Sequence, residues 1–231
     1  MITEREVDCG RLYEQKRGDL IGLARSQSDE LLSTMVPATP AWSVRDVVAH
    51  VVGIAADLNA GRLGRDDPDD WTAAQVQSRR GRSIDQLAAE WDTEAPTFEE
   101  GLRLLGYEVG AHFIGDLLQH IADVRHALGR ARIEDDETLL VALDFYLDSF
   151  HETLIEVGVG AVAVQVSGQG WELGSGAVVA SWTADRYEVF RALGGRRSEA
   201  QIRALDWTGD VDRVVGLVSR YGLPVTDIIE L

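Results

Sequence analysis

The chain has 231 residues, 45% of them hydrophobic and 26% charged, enough apolar material for one large or two modest folded domains and not the composition of a disordered polymer. Its formal charge of −17, from 39 acidic against 22 basic residues, sets up a field that repels phosphate backbones and anionic lipid, so neither nucleic acid nor a membrane surface is expected as a partner. The opening residues mix charges without the apolar stretch of a signal peptide, and no uncharged apolar run is long enough to span a bilayer, so a cytoplasmic protein is expected.

Residues 4–35 contain no proline and place Leu20, Ile21, Leu23, Leu31, Leu32 and Met35 at helical intervals, which predicts one long amphipathic helix. Cys9, the single cysteine, lies in this charged segment and reads as an incidental thiol. Beyond Pro37 and Pro40, Trp42-Ser43-Val44-Arg45-Asp46 has the form of a helix start, with Ser43 as N-cap and Asp46 closing a shortened capping box; that helix should run to residue 59. Residues 61–71, with Asp66, Asp67, Pro68, Asp69 and Asp70, read as a solvated acidic loop. Helical periodicity resumes over 83–105 through Ile84, Leu87, Trp91 and Leu102, with Pro96 expected to kink or split it. Further helices are predicted over 111–128, closed by Gly129, and over 136–157.

Residues 1–157 thus read as an all-helical bundle. Residues 158–231 change character: 161–167, 171–173 and 177–182 are strand-like around a Gly168-Gln169-Gly170 turn, and 183–193 and 210–221 look helical. The expected fold is α+β, a helical bundle followed by a small α/β domain that lacks a dinucleotide-binding glycine fingerprint.

On the second helix His50 shares a face with Val47, Val51 and Ile54 and should point inward, while Arg45 and Asp57 mark more polar positions. On the helix over 111–128, Phe113, Leu117, Val124 and Ala127 form a core stripe on which Asp116 and His120 lie one turn apart. A buried carboxylate is costly unless paired or bound to a cation, and two ligands one turn apart can converge on a metal with a third from a facing helix. Two histidines and a carboxylate leave a coordination position open, the pattern of a catalytic zinc site; Fe(II), Ni(II) or Mn(II) suit the same donors. The spacing is equally compatible with a hydrogen-bonded core His50 and an Asp116–His120 pair that satisfy each other. His112 fits the wetter start of its helix, Arg125 and His126 fit cations at a helix C-terminus, and Asp144, Asp148, His151 and Glu152 read as a solvated helix face.

Trp42-Ser43-Val44-Arg45-Asp46-Val47-Val48-Ala49-His50, followed by Asp116-Leu117-Leu118-Gln119-His120-Ile121-Ala122-Asp123-Val124-Arg125, resembles the mycothiol-dependent maleylpyruvate isomerase family of the DinB-like superfamily. The C-terminal part is similar through Gly195-Arg196-Arg197 and Trp207-Thr208-Gly209-Asp210, so the resemblance covers nearly the whole chain. It implies an up-down four-helix, DinB-like bundle holding a divalent metal, usually zinc, through His50, Asp116 and His120, and mycothiol as cosubstrate of an isomerase or thiol S-transferase acting on a small electrophilic metabolite. It further implies Asp123 and Arg197 as catalytic support, the first beside a metal ligand and the second orienting substrate. Asp116 stands where the family usually has glutamate; one methylene shorter, it must approach the metal more closely or act through water. A thiol-independent metalloenzyme for hydrolysis or rearrangement, and a metal-free small-ligand-binding protein, are the rival readings. Lys16 is the only lysine among the 22 basic residues, a bias that fits the high-GC bacteria that make mycothiol.

Overall fold

The computed structural model describes residues 3–64, 67–134 and 136–230. They form two compact units, one of residues 6–133 and one combining residues 3–5 with 134–230.

The first unit contains α1 (Cys9–Arg25), α2 (Asp29–Leu32), the short hairpin β1 (Met35–Val36) and β2 (Thr39–Ser43), then α3 (Val44–Asn59), α4 (Pro68–Arg79), α5 (Ile84–Leu104) and α6 (Tyr107–Ala127). Four long helices make the bundle, with α1 and α3 each packed against α5 and α6. Leu12, Leu20, Val47, Val51, Leu87, Trp91 and Leu117 are buried in its core.

The single helix expected over 4–35 is broken. Asp8 caps α1 by accepting from the Arg11 N–H. At its other end the Ser26 hydroxyl and the Gln27 amide donate to the Leu23 carbonyl, so side chains satisfy a group the next turn would have used. Ser28 then caps α2, and Met35–Val36 pairs with β2 instead of extending a helix.

The start of α3 matches expectation, with Ser43 and Asp46 forming both bonds of the capping box. Ser43→Ala is expected to cost about 1 kcal/mol, read as a lower urea midpoint at unchanged slope.

The acidic run is not wholly loop. Asp67 caps α4 by accepting from the Asp70 N–H, Pro68 sits in the first turn, and Asp69 and Asp70 face the positive end of the helix dipole. Asp66 lies outside the described residues. Pro96 leaves α5 a single helix.

The second unit contains α7 (Glu137–Val157), β3 (Ala161–Val166), β4 (Gln169–Gly174), β5 (Val178–Ala184), α8 (Arg186–Leu193), α9 (Glu199–Arg203) and β6 (Asp206–Gly209). Because α7 packs on β4 and α8, the division falls at 133/134 and not at 157/158. Its expected solvated face is largely covered. Asp144 is buried and takes a bidentate pair from Arg5, Asp148 is buried, and His151 Nδ1 accepts from the Gly174 N–H.

The sheet order is β4-β3-β5-β6, with β3 and β5 parallel and the other neighbours antiparallel. The β3–β4 turn is Ser167-Gly168, both at positive φ, in place of the expected Gly168-Gln169-Gly170. Trp182 on β5 sits opposite Trp207 on β6, and their rings stack at 5.0 Å. The helix expected over 210–221 is reduced to two 3-10 turns, Val211–Arg213 and Val215–Leu217. Among the described residues no helix is long and apolar enough to cross a membrane.

Candidate metal centre

His50 comes from α3, and Asp116 and His120 come from α6, which packs against it. Both imidazoles are buried, while the Asp116 side chain is one-third exposed. One ligand atom from each of the three residues lies within 4.8 Å of the others. The His50 and His120 rings meet edge to face at 4.9 Å between centroids. Asp116 Oδ1 is 3.7 Å from His120 Nε2, beyond hydrogen-bond reach but within the range of an ion pair. Donor atoms each about 2.1 Å from a tetrahedral zinc lie roughly 3.4 Å apart, so the set needs only modest contraction to hold an ion. The donor chemistry fits a divalent metal, with Asp116 on the wetter side.

The nitrogens turned away from the cluster are also placed. His50 Nδ1 is 2.8 Å from Gln75 Oε1 on α4, and Gln75 Nε2 donates to Asp57 Oδ2 at 3.0 Å. Asp57 Oδ1 accepts from Arg62 Nε at 2.9 Å and from a second Arg62 nitrogen at 2.5 Å. His120 Nδ1 is buried without a hydrogen bond and has Asp123 Oδ2 at 3.6 Å, with Asp123 fully buried. Metal-bound histidines characteristically turn their other nitrogen toward such an acceptor. Burial, followed by the charge of Asp116, pushes the Tyr13 hydroxyl of α1 far above its usual range, so it keeps its proton. The Trp42 ring lies 4.8 Å from His50 and also lines a groove of about 500 Å³ with Asp46, Val76, Gln77 and Arg80.

Gly53, one turn after His50, is what lets α4 come this close. A Cβ there would lie 2.6 Å from Gln75 Cβ and 2.9 Å from an Arg79 nitrogen. Gly53→Ala is therefore expected to push Gln75 off His50, costing about 1–3 kcal/mol by overpacking and weakening zinc binding about tenfold in a chelator competition.

Of the residues singled out from sequence, the structure brings together His50, Asp116 and His120 and sets Asp123 behind His120. Arg197 belongs to the other compact unit and is buried there. It donates to Glu188 through Nε and one terminal nitrogen, to Glu230 through the same terminal nitrogen, and to the Arg196 carbonyl through the other. The guanidinium expected to orient substrate is thus engaged in ion pairs within its own unit. His112 is exposed and stacked on Phe113, outside the cluster. Sequence reasoning missed Gln75 and took Asp57 only as one of the more polar positions of its helix; the signal was that Asp57 lies seven residues, two helical turns, after His50 on the same face.

Fold and site together place two histidines and one carboxylate, close enough to share an ion, inside a helical bundle. Residues 13–115 match the family model described as the mycothiol maleylpyruvate isomerase N-terminal domain, the family whose motifs the sequence resembles. The matched span includes His50, Asp57 and Gln75 and ends one residue before Asp116. The fold is similar to the crystal structure of a histidine-to-alanine mutant of mycothiol-dependent maleylpyruvate isomerase, with a TM-score of 0.59 at 11% identity, over 88% of this chain and 93% of that one. A second crystal structure of a mycothiol-dependent maleylpyruvate isomerase aligns with a TM-score of 0.48 at 13% identity, over 81% of this chain and 87% of that one. No curated protein sequence matches.

Proposed function

We propose that this protein is a divalent-metal-dependent enzyme that uses mycothiol as cosubstrate to isomerise, or add sulfur to, a small electrophilic metabolite. The observation that carries this reading is the convergence of His50, Asp116 and His120 from two helices onto one buried point, with Asp116 toward solvent. Zinc suits the donors best, and nickel, iron or manganese accept them. A metal held there supplies Lewis acidity that favours the thiolate of a bound thiol over its protonated form.

The chain's own residues do the remainder. His50 and His120 would hold the metal through ring nitrogens, Asp116 would offset one positive charge, and Asp123 lies 3.6 Å behind the outer nitrogen of His120. The buried imidazoles beside Trp42 and the neutral Tyr13 hydroxyl keep the surroundings poor in water, which strengthens electrostatic effects there. Addition of thiolate sulfur to an activated carbon–carbon double bond moves its electron pair into the adjoining carbonyl. Rotation about the resulting single bond, then return of the pair with expulsion of the thiolate, converts cis to trans. Protonation of the adduct instead leaves a thioether.

The test is zinc-loaded protein incubated with mycothiol and a panel of cis-enoates that includes maleylpyruvate, followed by NMR for trans product and thioether. Conversion that needs both the thiol and His120 is expected. Conversion without thiol would favour the thiol-independent reading, and no conversion of any member would contradict the proposal.

A further inference from the structure

We infer that Asp57 and Gln75 are positioning residues that fix His50 in its Nδ1–H tautomer and so present Nε2 to the metal. This rests on the proposed metal centre and adds to it two residues outside the ligand set. The argument runs inward from the surface. Arg62 grips Asp57 through two nitrogens, so Asp57 meets Gln75 as a carboxylate. A carboxylate only accepts hydrogen bonds, hence the end of the Gln75 side chain 3.0 Å from Asp57 Oδ2 must be its NH2 group. The opposite end, 2.8 Å from His50 Nδ1, is then the carbonyl oxygen, which also only accepts. His50 Nδ1 must therefore carry the hydrogen, leaving the lone pair of the neutral ring on Nε2.

Amide orientation is often ambiguous because nitrogen and oxygen look alike, but here the chain of donors and acceptors leaves one assignment. The arrangement is expensive to build. Gln75 is 1% exposed and Asp57 8%, and the approach of α4 requires a glycine at position 53. A core that needed only filling would use apolar side chains in such places. Gln75 cannot pass a proton as a second imidazole could, so its contribution is orientation. His120 has no such amide; its buried Nδ1 faces Asp123 directly, and the two histidines are held by different devices.

The discriminating variant is Asp57→Asn, which keeps size and shape but can donate as well as accept. Gln75 is then free to turn its NH2 toward His50, which favours the tautomer with hydrogen on Nε2. Gln75→Leu removes the bond outright. Two readouts are taken on the full chain: the His50 tautomer by long-range 1H–15N NMR in metal-free protein, and zinc affinity by chelator competition. The inference expects the Nδ1–H tautomer alone in wild type, a detectable Nε2–H population in Asp57→Asn, and zinc affinity reduced about 10–100-fold in both variants. Wild type that binds zinc while both variants keep its tautomer and affinity would overturn this inference and spare the metal centre. Wild type that takes up no zinc would overturn both. A melting temperature measured without metal separates misfolding from lost orientation, since only the latter changes the tautomer in a folded protein.

Discussion

Replacing Glu230 by alanine is expected to destabilise the folded protein by about 3–5 kcal/mol, because it removes a buried carboxylate that two buried guanidiniums share. Glu230 accepts from Arg191 at 2.6 Å, from Arg197 at 2.8 Å and from the Tyr187 hydroxyl at 3.1 Å. The side chains of Arg191, Arg197 and Glu230 are 0%, 4% and 2% exposed. Burial opposes ionisation of Glu230, but Arg191 and then Arg197 outweigh it and hold the carboxyl below the usual glutamate range. A depressed folded value contributes stability above the unfolded value near pH 4.3, and that contribution is lost as pH falls through the folded one. Glu230→Gln, which keeps the shape without the charge, should therefore flatten the acid side of a stability–pH curve measured by urea unfolding. An acid limb identical to wild type would show that the network does not couple to stability.

His120→Ala is expected to abolish zinc-dependent stabilisation. A ligand at 100 times its dissociation constant that binds only the folded state adds about 2.7 kcal/mol. For a chain of this length that corresponds to a rise of roughly 5–10 °C in melting temperature. Wild type stripped of metal and given zinc should show that rise, whereas His120→Ala should melt at one temperature with or without zinc. A variant that still responds fully would mean that zinc binds elsewhere, since His120 faces both Asp116 and Asp123 and, among the described residues, no neighbouring side chain duplicates it in the cluster.

Local signals predicted local structure well. Ser43 and Asp46 announced the start of α3, Gly129 and Gly158 follow the ends of α6 and α7, and apolar periodicity located α3, α5, α6 and α7. The cluster was partly legible for the same reason, since helical spacing put Asp116 and His120 on one face and turned His50 inward, while the choice of these three as candidate metal ligands came from the family resemblance. What failed depended on distant partners or on competition between close alternatives. Asp144 looked like a solvated position until Arg5, 139 residues away, reached it. The first helix looked continuous because nothing in apolar periodicity reports that Ser26 and Gln27 satisfy the Leu23 carbonyl. Asp67, Pro68, Asp69 and Asp70 carried a helix-start signature that was read only as charge. Gln75 was invisible because its role exists only once Gly53 allows α4 to close on α3. Arg197, a basic residue after two glycines, gave no sequence signal of which carboxylates it would meet, and its partners proved to be Glu188 and Glu230.

The most direct test of the central claim is the metal content of untagged full-length protein purified without chelator, measured by elemental analysis beside His50→Ala. The account predicts about one equivalent of zinc or another divalent metal per wild-type chain and none in the variant, the donor set offering a single such site. Wild type that holds no metal, even after incubation with zinc and removal of the excess, would contradict it.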